Sequence, residues 1–491
     1  MPAVNIQNPR ARNLDSLTVG VIFVALSLLT GRVFRSAFDD EIFSLNLIGT
    51  ADSFLGLLRD LLHAVDVHPP LSYLLFYALS HIGLGERGLR LVNLLISAAA
   101  AVVAHRVLLL LLPREQLLST PDRVVPIILL SSTPLLVSQG DAIRWYPLFA
   151  LMFVCTLYAY LRRPRGLTAS IMCGLLSSTN FLGFLVFPLL ELDRATQNGW
   201  RIDWRALGLR AALFGVFAVP GFITLWNGMT HDAHRYLAGQ IGHGIVVSAS
   251  MTAIGVFGGN SLGVVQSAAT LPMGLLSIYI LYRGVRDPVT RPLALNFAAL
   301  FVLLAIGFAK PRSFSYLALT LSVMLAYRWI VNADPKLRYL IGVIGLATPL
   351  AVVANIKWNE TPYKRNAVLP VEEIARFARY NSGPGDVIVV SDPVLYWDLH
   401  GEVSACVTHY LTNPACDIDS ARKLIVIDGY GIGSEDRDAW LSKKDAALAT
   451  RREVAAVFFG VDHEAGLKRR IIPGMDDYLL KASIYSNRRA D

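Results

Sequence analysis

Long apolar runs dominate this chain and restrict what it can fold into. Eleven candidates lie near residues 17–35, 88–112, 123–139, 143–161, 167–180, 181–192, 207–226, 265–283, 291–309, 313–331 and 337–356. Crossing the hydrocarbon core of a bilayer takes about 20 such residues as a helix. In lipid the backbone must satisfy its own hydrogen bonds, which restricts a chain with this many runs to a helical bundle. Composition agrees, because only 17% of the 491 residues are charged and 54% are hydrophobic, whereas soluble domains carry about 25% charge. The expected fold class is an α-helical multi-spanning membrane protein of about eleven helices. Two of the runs, 167–180 and 181–192, are short enough to be a pair of half-length helices.

The positive charges orient the bundle. They cluster at Arg10 and Arg12, at Arg114 and Arg123, in "RRPR" at 162–165, at Arg194, Arg201 and Arg205, at Arg283, Arg286 and Arg291, and at Arg328, Lys336 and Arg338. All of these share one face if the short apolar run 69–84 does not cross. Lys and Arg accumulate on the cytoplasmic side, so 69–84 reads as surface-lying or re-entrant. The polar, basic start "MPAVNIQNPRARNLDS" precedes a run long enough to stay as a membrane helix, with no clear cleavage site. The opposite face, the periplasm for a bacterial inner membrane, then carries "FDDEIFS", "VHPPL", "SQGDAIRWY", "HDAHRY" and "AKPRSFSY".

From about residue 358 the sequence changes in kind. "VEEIARFARYNSGPGDVIVVSD" reads as an amphipathic helix, a turn and a buried strand, and "ARKLIVIDGYG" as a second strand. The expected organisation is a membrane unit over 1–357 and a small periplasmic α/β domain over 358–491. "GYGIG" lacks the dinucleotide-binding spacing and reads as a plain turn. Cys155 and Cys173 lie in apolar stretches and read as core residues. Cys406 and Cys416 lie in the polar region and are candidates for a disulfide if that region is outside the cytoplasm. The sequence has no basic helix, zinc-ligand spacing or RNA-binding motif, so a nucleic-acid partner is not expected.

Chemistry-bearing residues gather on the outer face. Asp39, Asp40 and Glu41 follow the first apolar run and lead into 42–62, which reads as one amphipathic helix along the interface. Acids near a membrane are costly unless solvated, paired or used. A solvated helix end is the plain alternative. His68 precedes a double proline that starts a helix, where amides and an imidazole suit an anion. A surface histidine beside a helix cap is the alternative there. Arg144, followed by Trp145 and Tyr146, suits either a phosphate or interfacial anchoring. Lys310 and Arg312 lie on the face that the charge bias disfavours, and an anionic headgroup or phosphate accounts for them. Together these residues suit a lipid-linked phosphate substrate: cations for the leaving phosphate and a carboxylate for an attacking hydroxyl.

On "DE" at 40–41, "HPPLSYLLFYALSHIGLGERGLRLVNLL" at 68–95, "RWYPLFALM" at 144–152 and "PRSFSYLAL" at 311–319, the sequence resembles the GT-C membrane glycosyltransferases. The likeness is to the bacterial branch related to protein O-mannosyltransferases and the lipid A aminoarabinose transferase. It covers residues 17–330 in order and spacing, and the tail only in type. The resemblance implies inverting transfer of a sugar from a polyprenyl-phosphate donor to an envelope acceptor: lipid A or lipopolysaccharide, another glycan, or a protein. It implies Asp40 as general base, with Asp39 the alternative because the extra acid blurs the register, and Glu41 orienting the acceptor or the base. It also implies His68, Arg144, Lys310 and Arg312 at the donor phosphate, with Tyr146 and Tyr316 as substrate-binding candidates. Some relatives use a divalent metal. This sequence shows no second acidic cluster with ligand spacing, so the expectation is no metal and no other cofactor. A polyprenyl-lipid transporter is the competing class, although the charges lie at one face and not at the midplane, where transporters bind. A non-catalytic scaffold leaves the acids and "HPPL" unexplained.

Overall fold

The computed structural model describes residues 9–29, 39–62, 68–113, 118–231, 276–303, 315–332, 334–358, 371–390, 395–396, 399, 403–409, 416–428, 448–449, 451–460 and 479–487. The chain divides into two compact units, residues 1–35 with 44–362 and residues 36–43 with 363–491.

Helix α1 (Pro9–Leu29) starts earlier than the apolar run, because Pro9 supplies a ready-made first turn. The stretch expected as one amphipathic helix is two, α2 (Asp39–Thr50) and α3 (Phe54–Leu62). They part where Ser53 caps α3, its Oγ accepting from the Gly56 amide at 3.0 Å. The acids are therefore in the first turn of α2, where a helix dipole favours negative charge. Helix α4 (Leu71–His81) has 11 residues, about 16 Å of rise and too short to cross by itself. Next come α5 (Glu86–Leu111), α6 (Thr120–Ser131) and α7 (Pro134–Gln139). The run 123–139 reads as one span, but Pro134 has no amide to continue the helix and splits it into α6 and α7. Helix α8 (Tyr146–Arg162) follows. The run 167–192 forms half-length helices, α9 (Thr168–Ser177) and α10 (Val186–Gln197), joined by a 3-10 turn, Phe181–Leu185. Asn180 starts that turn, its Oδ1 accepting from Leu182 N at 3.0 Å.

Helix α11 (Trp204–His231), helical residues 276–286, and helices α12 (Arg291–Leu303), α13 (Ser315–Val331) and α14 (Pro335–Trp358) complete the unit. Among the described residues two helices, Glu86–Leu111 and Trp204–Asn227, are long and apolar enough to cross a bilayer. Asn13–Leu29, Tyr146–Arg162, Thr168–Ser177, Arg291–Val302 and Tyr316–Val331 are apolar and shorter. Helix α5 packs against α1, α8 and α13, and α13 also packs against α6 and α8. Ion pairs clip helix ends together: Arg123 to Asp15 at 2.6 Å, Arg338 to Asp122 at 2.6 Å and Arg328 to Asp287 at 3.0 Å.

The second unit contains helix α15 (Val371–Asn381) and strands β1 (Val387–Val390), β2 (Cys406–His409), β3 (Lys423–Asp428), β4 (Arg451–Gly460) and β5 (Leu479–Asn487). They form one sheet in the order β2-β1-β3-β5-β4. β1 pairs parallel with β2 and β3, and β5 pairs antiparallel with β3 and β4. The strand period of two splits the core. Ile388, Val390, Ile425 and Ile427 pack with Ile374 and Ala378 of α15, while Val387, Val389, Leu424 and Val426 pack with Cys416 and Ala421. Both faces of the parallel part are thus covered, as such sheets require. Cys406 and Cys416 are joined by a disulfide.

Candidate active site

The site starts with the polar face of α5. Glu86, Arg90, Asn93 and Ser97 recur at helical spacing and share one side of the helix. Against this face lies the loop between α7 and α8, residues 140–145. Ser97 Oγ donates to the Gly140 carbonyl at 3.1 Å, and Asn93 Nδ2 donates to the Ala142 carbonyl at 2.7 Å. Arg90 Nη1 lies 3.7 Å from Asp141 Oδ2, and Arg90 Nη2 donates to Glu86 Oε1 at 2.9 Å. Gly140 is needed for this approach: a Cβ there would sit 2.6 Å from the Leu136 carbonyl oxygen and 3.1 Å from Ser97 Cβ. Arg90, Asn93, Ser97, Asp141 and Arg144 are all buried.

Arg144 leaves this clamp toward α2 and α4. Its own amide donates to the Ala142 carbonyl at 2.8 Å, a tight turn. Its Nη1 donates to Ser44 Oγ of α2 and to the Tyr73 hydroxyl of α4, both at 3.0 Å. Its Nη2 is 3.5 Å from His68 Nδ1. A guanidinium only donates, so in that long contact Nδ1 is placed to accept. The His68 ring lies 5.8 Å from that of Trp145. The structure thus brings His68 and Arg144 together, although 76 residues separate them in sequence.

Helix α4 starts at Leu71, directly after the double proline and three residues beyond His68, as the sequence predicts. Pro69 and Pro70 have no N–H, and the first amide of α4, Leu71 N, donates to the Ser178 carbonyl at 3.0 Å. That carbonyl takes one of the first-turn amides, and it pins α4 to the turn after α9.

Other expected residues are placed as follows. Glu41 is buried, which removes the reading of a solvated helix end for it, and it lies one turn before Ser44 on α2. Asp39 and Asp40 open α2, and their side chains lie outside the described residues. Lys310 and Arg312 also lie outside the described residues. Tyr146 is buried at the start of α8, its ring 4.5 Å from that of Trp145. Tyr316 is fully buried with its ring edge-on to Phe149 at 4.7 Å and Phe153 at 5.3 Å. Its hydroxyl has no hydrogen-bond partner among the described residues. Nor do the described residues contain a group of three or more His, Cys, Asp or Glu placed to hold a metal; the side chains of Asp39 and Asp40 are not in that set.

Sequence reasoning missed Ser44, Tyr73, Arg90, Asn93 and Asp141. Asp141 was within the quoted stretch "SQGDAIRWY" and Tyr73 within "HPPLSY", but only a contact between the two segments makes them visible. Asn93 did leave a signal, a lone amide side chain in an apolar run.

The arrangement is a buried cation held by two hydroxyls beside an imidazole, a setting suited to an anionic oxygen ligand. Helix α5 puts it far from the basic helix ends. Arg90 and Asn93 lie near its start, whereas His105, whose Nδ1 is 2.8 Å from Ser16 Oγ beside the Asp15–Arg123 pair, lies about 20 Å along it.

No protein-family model matches the chain, and no curated protein matches it in sequence. Solved structures match it in fold. ArnT from Cupriavidus metallidurans bound to undecaprenyl phosphate superposes with a TM-score of 0.52 at 15% identity, covering 94% of this chain and 97% of that one. The apo state of the same protein gives 0.52 at 14% identity, with 94% and 97% covered. The Archaeoglobus fulgidus oligosaccharyltransferase in its apo form gives 0.50 at 13% identity, covering 93% of this chain and 70% of that one. Over nearly its whole length the chain therefore shares the fold of these structures.

Proposed function

We propose that the chain is a glycosyltransferase that moves a sugar, with inversion, from a polyprenyl-phosphate donor to an envelope acceptor at the periplasmic face of a bacterial inner membrane. The acceptor class spans lipid A or lipopolysaccharide, another glycan, or a protein. One observation carries this reading: Arg144, buried between Ser44, Tyr73 and His68 in the fold that ArnT shows with undecaprenyl phosphate bound.

In this reading Asp40, or Asp39 in its place, takes the proton of the acceptor hydroxyl. The oxygen attacks the anomeric carbon, the bond from that carbon to the phosphate oxygen breaks, and polyprenyl phosphate leaves. Charge grows on the phosphate as the bond breaks, and Arg144 meets it with a preorganised guanidinium in a water-poor site. His68, beside Arg144, contributes a ring nitrogen to the same oxygens, and Lys310 and Arg312 add positive charge. Glu41 orients the acceptor or the base, and Tyr146 and Tyr316 line the substrate side. No metal takes part in this scheme. The separation of the site from the basic helix ends supports the outer-face assignment. The Cys406–Cys416 disulfide supports an oxidising compartment for the second unit, residues 358–491 in the sequence reading.

The test uses purified full-length protein in detergent with synthetic polyprenyl-phosphate sugars, with and without EDTA, and measures released polyprenyl phosphate. Wild type releases it, EDTA does not slow release, and Asp40→Asn and Arg144→Ala abolish release while remaining folded. Unchanged release by both variants would overturn the residue roles. Donor binding without release, together with movement of the lipid across vesicles, would establish the transporter reading instead.

A further inference from the structure

We infer that Asn93 is a positioning residue for Arg144, acting through one shared carbonyl; this rests on the reading of Arg144 as a phosphate ligand. The Ala142 carbonyl oxygen accepts from Asn93 Nδ2 at 2.7 Å and from the Arg144 amide at 2.8 Å. A carbonyl oxygen has two lone pairs, and here one is used by the scaffold helix and one by the arginine itself. Asn93 is on α5, a helix of 26 residues packed on α1, α8 and α13, and therefore part of a rigid scaffold. Arg144 is on an irregular loop, whose backbone has no ladder of its own to fix it. The Asn93 bond transfers the position of α5 to the peptide from which Arg144 hangs.

The flanking contacts act in the same direction. Ser97 holds Gly140 two residues before that peptide, and Arg90 holds Asp141 beside it. Asn93 is the closest link, because it shares an acceptor with Arg144. Its other amide atom, Oδ1, is buried with no hydrogen-bond partner among the described residues. An asparagine whose oxygen goes unused in an apolar helix contributes little stability over a hydrocarbon of similar size, since an unpaired buried acceptor is costly. What the amide adds over leucine is the direction it gives to the Ala142 carbonyl.

This separates positioning from stability. Asn93→Leu keeps the side chain's branching and heavy-atom count, removes the unused oxygen and leaves Ala142 bonded to the Arg144 amide, so any loss of thermal stability is limited to fitting a somewhat larger side chain. Phosphate binding weakens, because a guanidinium misplaced by about 1 Å loses its aim. The experiment measures undecaprenyl phosphate binding to the full-length protein in detergent for wild type, Asn93→Leu, Arg144→Ala and the double variant. The expected result is about tenfold weaker binding for Asn93→Leu, about a hundredfold for Arg144→Ala, and no further loss in the double variant. An equal loss from Asn93→Leu in both backgrounds, or none in either, overturns the positioning role and leaves Arg144 as a phosphate ligand. Unchanged binding by Arg144→Ala overturns the phosphate reading itself, and the Asn93 role with it.

Discussion

Two short irregular segments, the loop at 140–145 and the turn at 383–386, use the same device in opposite surroundings. Each is held by an arginine–aspartate pair and includes a glycine that its geometry requires. In the loop, Arg90 and Asp141 side chains are 0% and 3% exposed. In the turn, Asp386 is 0% exposed but its partner Arg422 is 67% exposed. Gly385 there has φ +83°, a conformation that side chains resist. Water reaches one end of the second pair and neither end of the first. In the loop, loss of either partner leaves the other buried away from water, whereas in the turn loss of Asp386 leaves Arg422 in solvent. The loop also carries Arg144, so its position sets where the proposed phosphate ligand sits; the turn carries β1, so its position sets the sheet.

The largest expected effect belongs to the loop's functional end. Arg144→Ala lowers release of polyprenyl phosphate by at least about a hundredfold, in the range seen when a preorganised transition-state donor is lost. Arg90→Met comes next. It removes the cationic partner of the buried Asp141 and destabilises the helical unit by about 3–5 kcal/mol, the usual cost of breaking a buried ion pair from one side. Thermal unfolding of the detergent-solubilised protein measures it. A cost for Arg90→Met no greater than that of Asp386→Asn would break the comparison, since burial would then not be what distinguishes the two pairs.

The sequence revealed the two halves unequally. Apolar runs located most helices, because burial in lipid leaves a strong one-dimensional signal. It could not locate the breaks at Pro134 and Ser53, where one residue decides whether a helix continues. In the tail, the apolar strands and the glycine turn were legible, and so was the cysteine pair as a candidate. The antiparallel addition of β5 between β3 and β4 was not, because pairing order depends on contacts far apart in sequence. At the site, Arg144 and His68 were legible as chemistry-bearing types in unusual places. Ser44, Tyr73 and Asn93 were not, because hydroxyls and amides are common and only their distance to Arg144 singles them out.

The disulfide gives the third effect. Replacing Cys406 and Cys416 by serine opens a loop with a sequence separation of 10, and the chain-entropy estimate for a loop of that size is about 2.5–3 kcal/mol. The loss is confined to the second unit, so hydrogen exchange accelerates in β1, β2 and β3 while α5 and α8 keep their protection. Equal acceleration in α5 would show that the two units unfold together.

The smallest effect tests the exposed member of the comparison. Burial alone would raise the Asp386 carboxyl, but hydrogen bonds from Arg422 and the Gly383 amide, with the charges of Arg422 and Lys423, outweigh it and hold the group below the usual carboxylate range. Its folded pKa is thus lower than its unfolded value of about 3.9. The ionised carboxylate therefore stabilises the turn above that value, and the contribution is lost as pH falls through the lower folded pKa. Asp386→Asn removes this limb. The variant keeps a side-chain oxygen for the Gly383 amide, but its amide nitrogen then faces the Arg422 Nε donor, so it loses the charge and that bond, at a cost of about 1.5–2 kcal/mol at neutral pH, the lower part of the range for a hydrogen bond to a charged group. Amide exchange in β1 and β3 of the full chain, corrected for intrinsic rates, reads both effects. Between about pH 5 and about pH 2 the wild-type strands lose protection and approach the variant, whose protection changes less. A constant gap between the two across that range would mean that the charge of Asp386 does not hold the turn, and that the glycine and the backbone bond from Arg422 N to the Gly385 carbonyl, 3.1 Å long, do so instead.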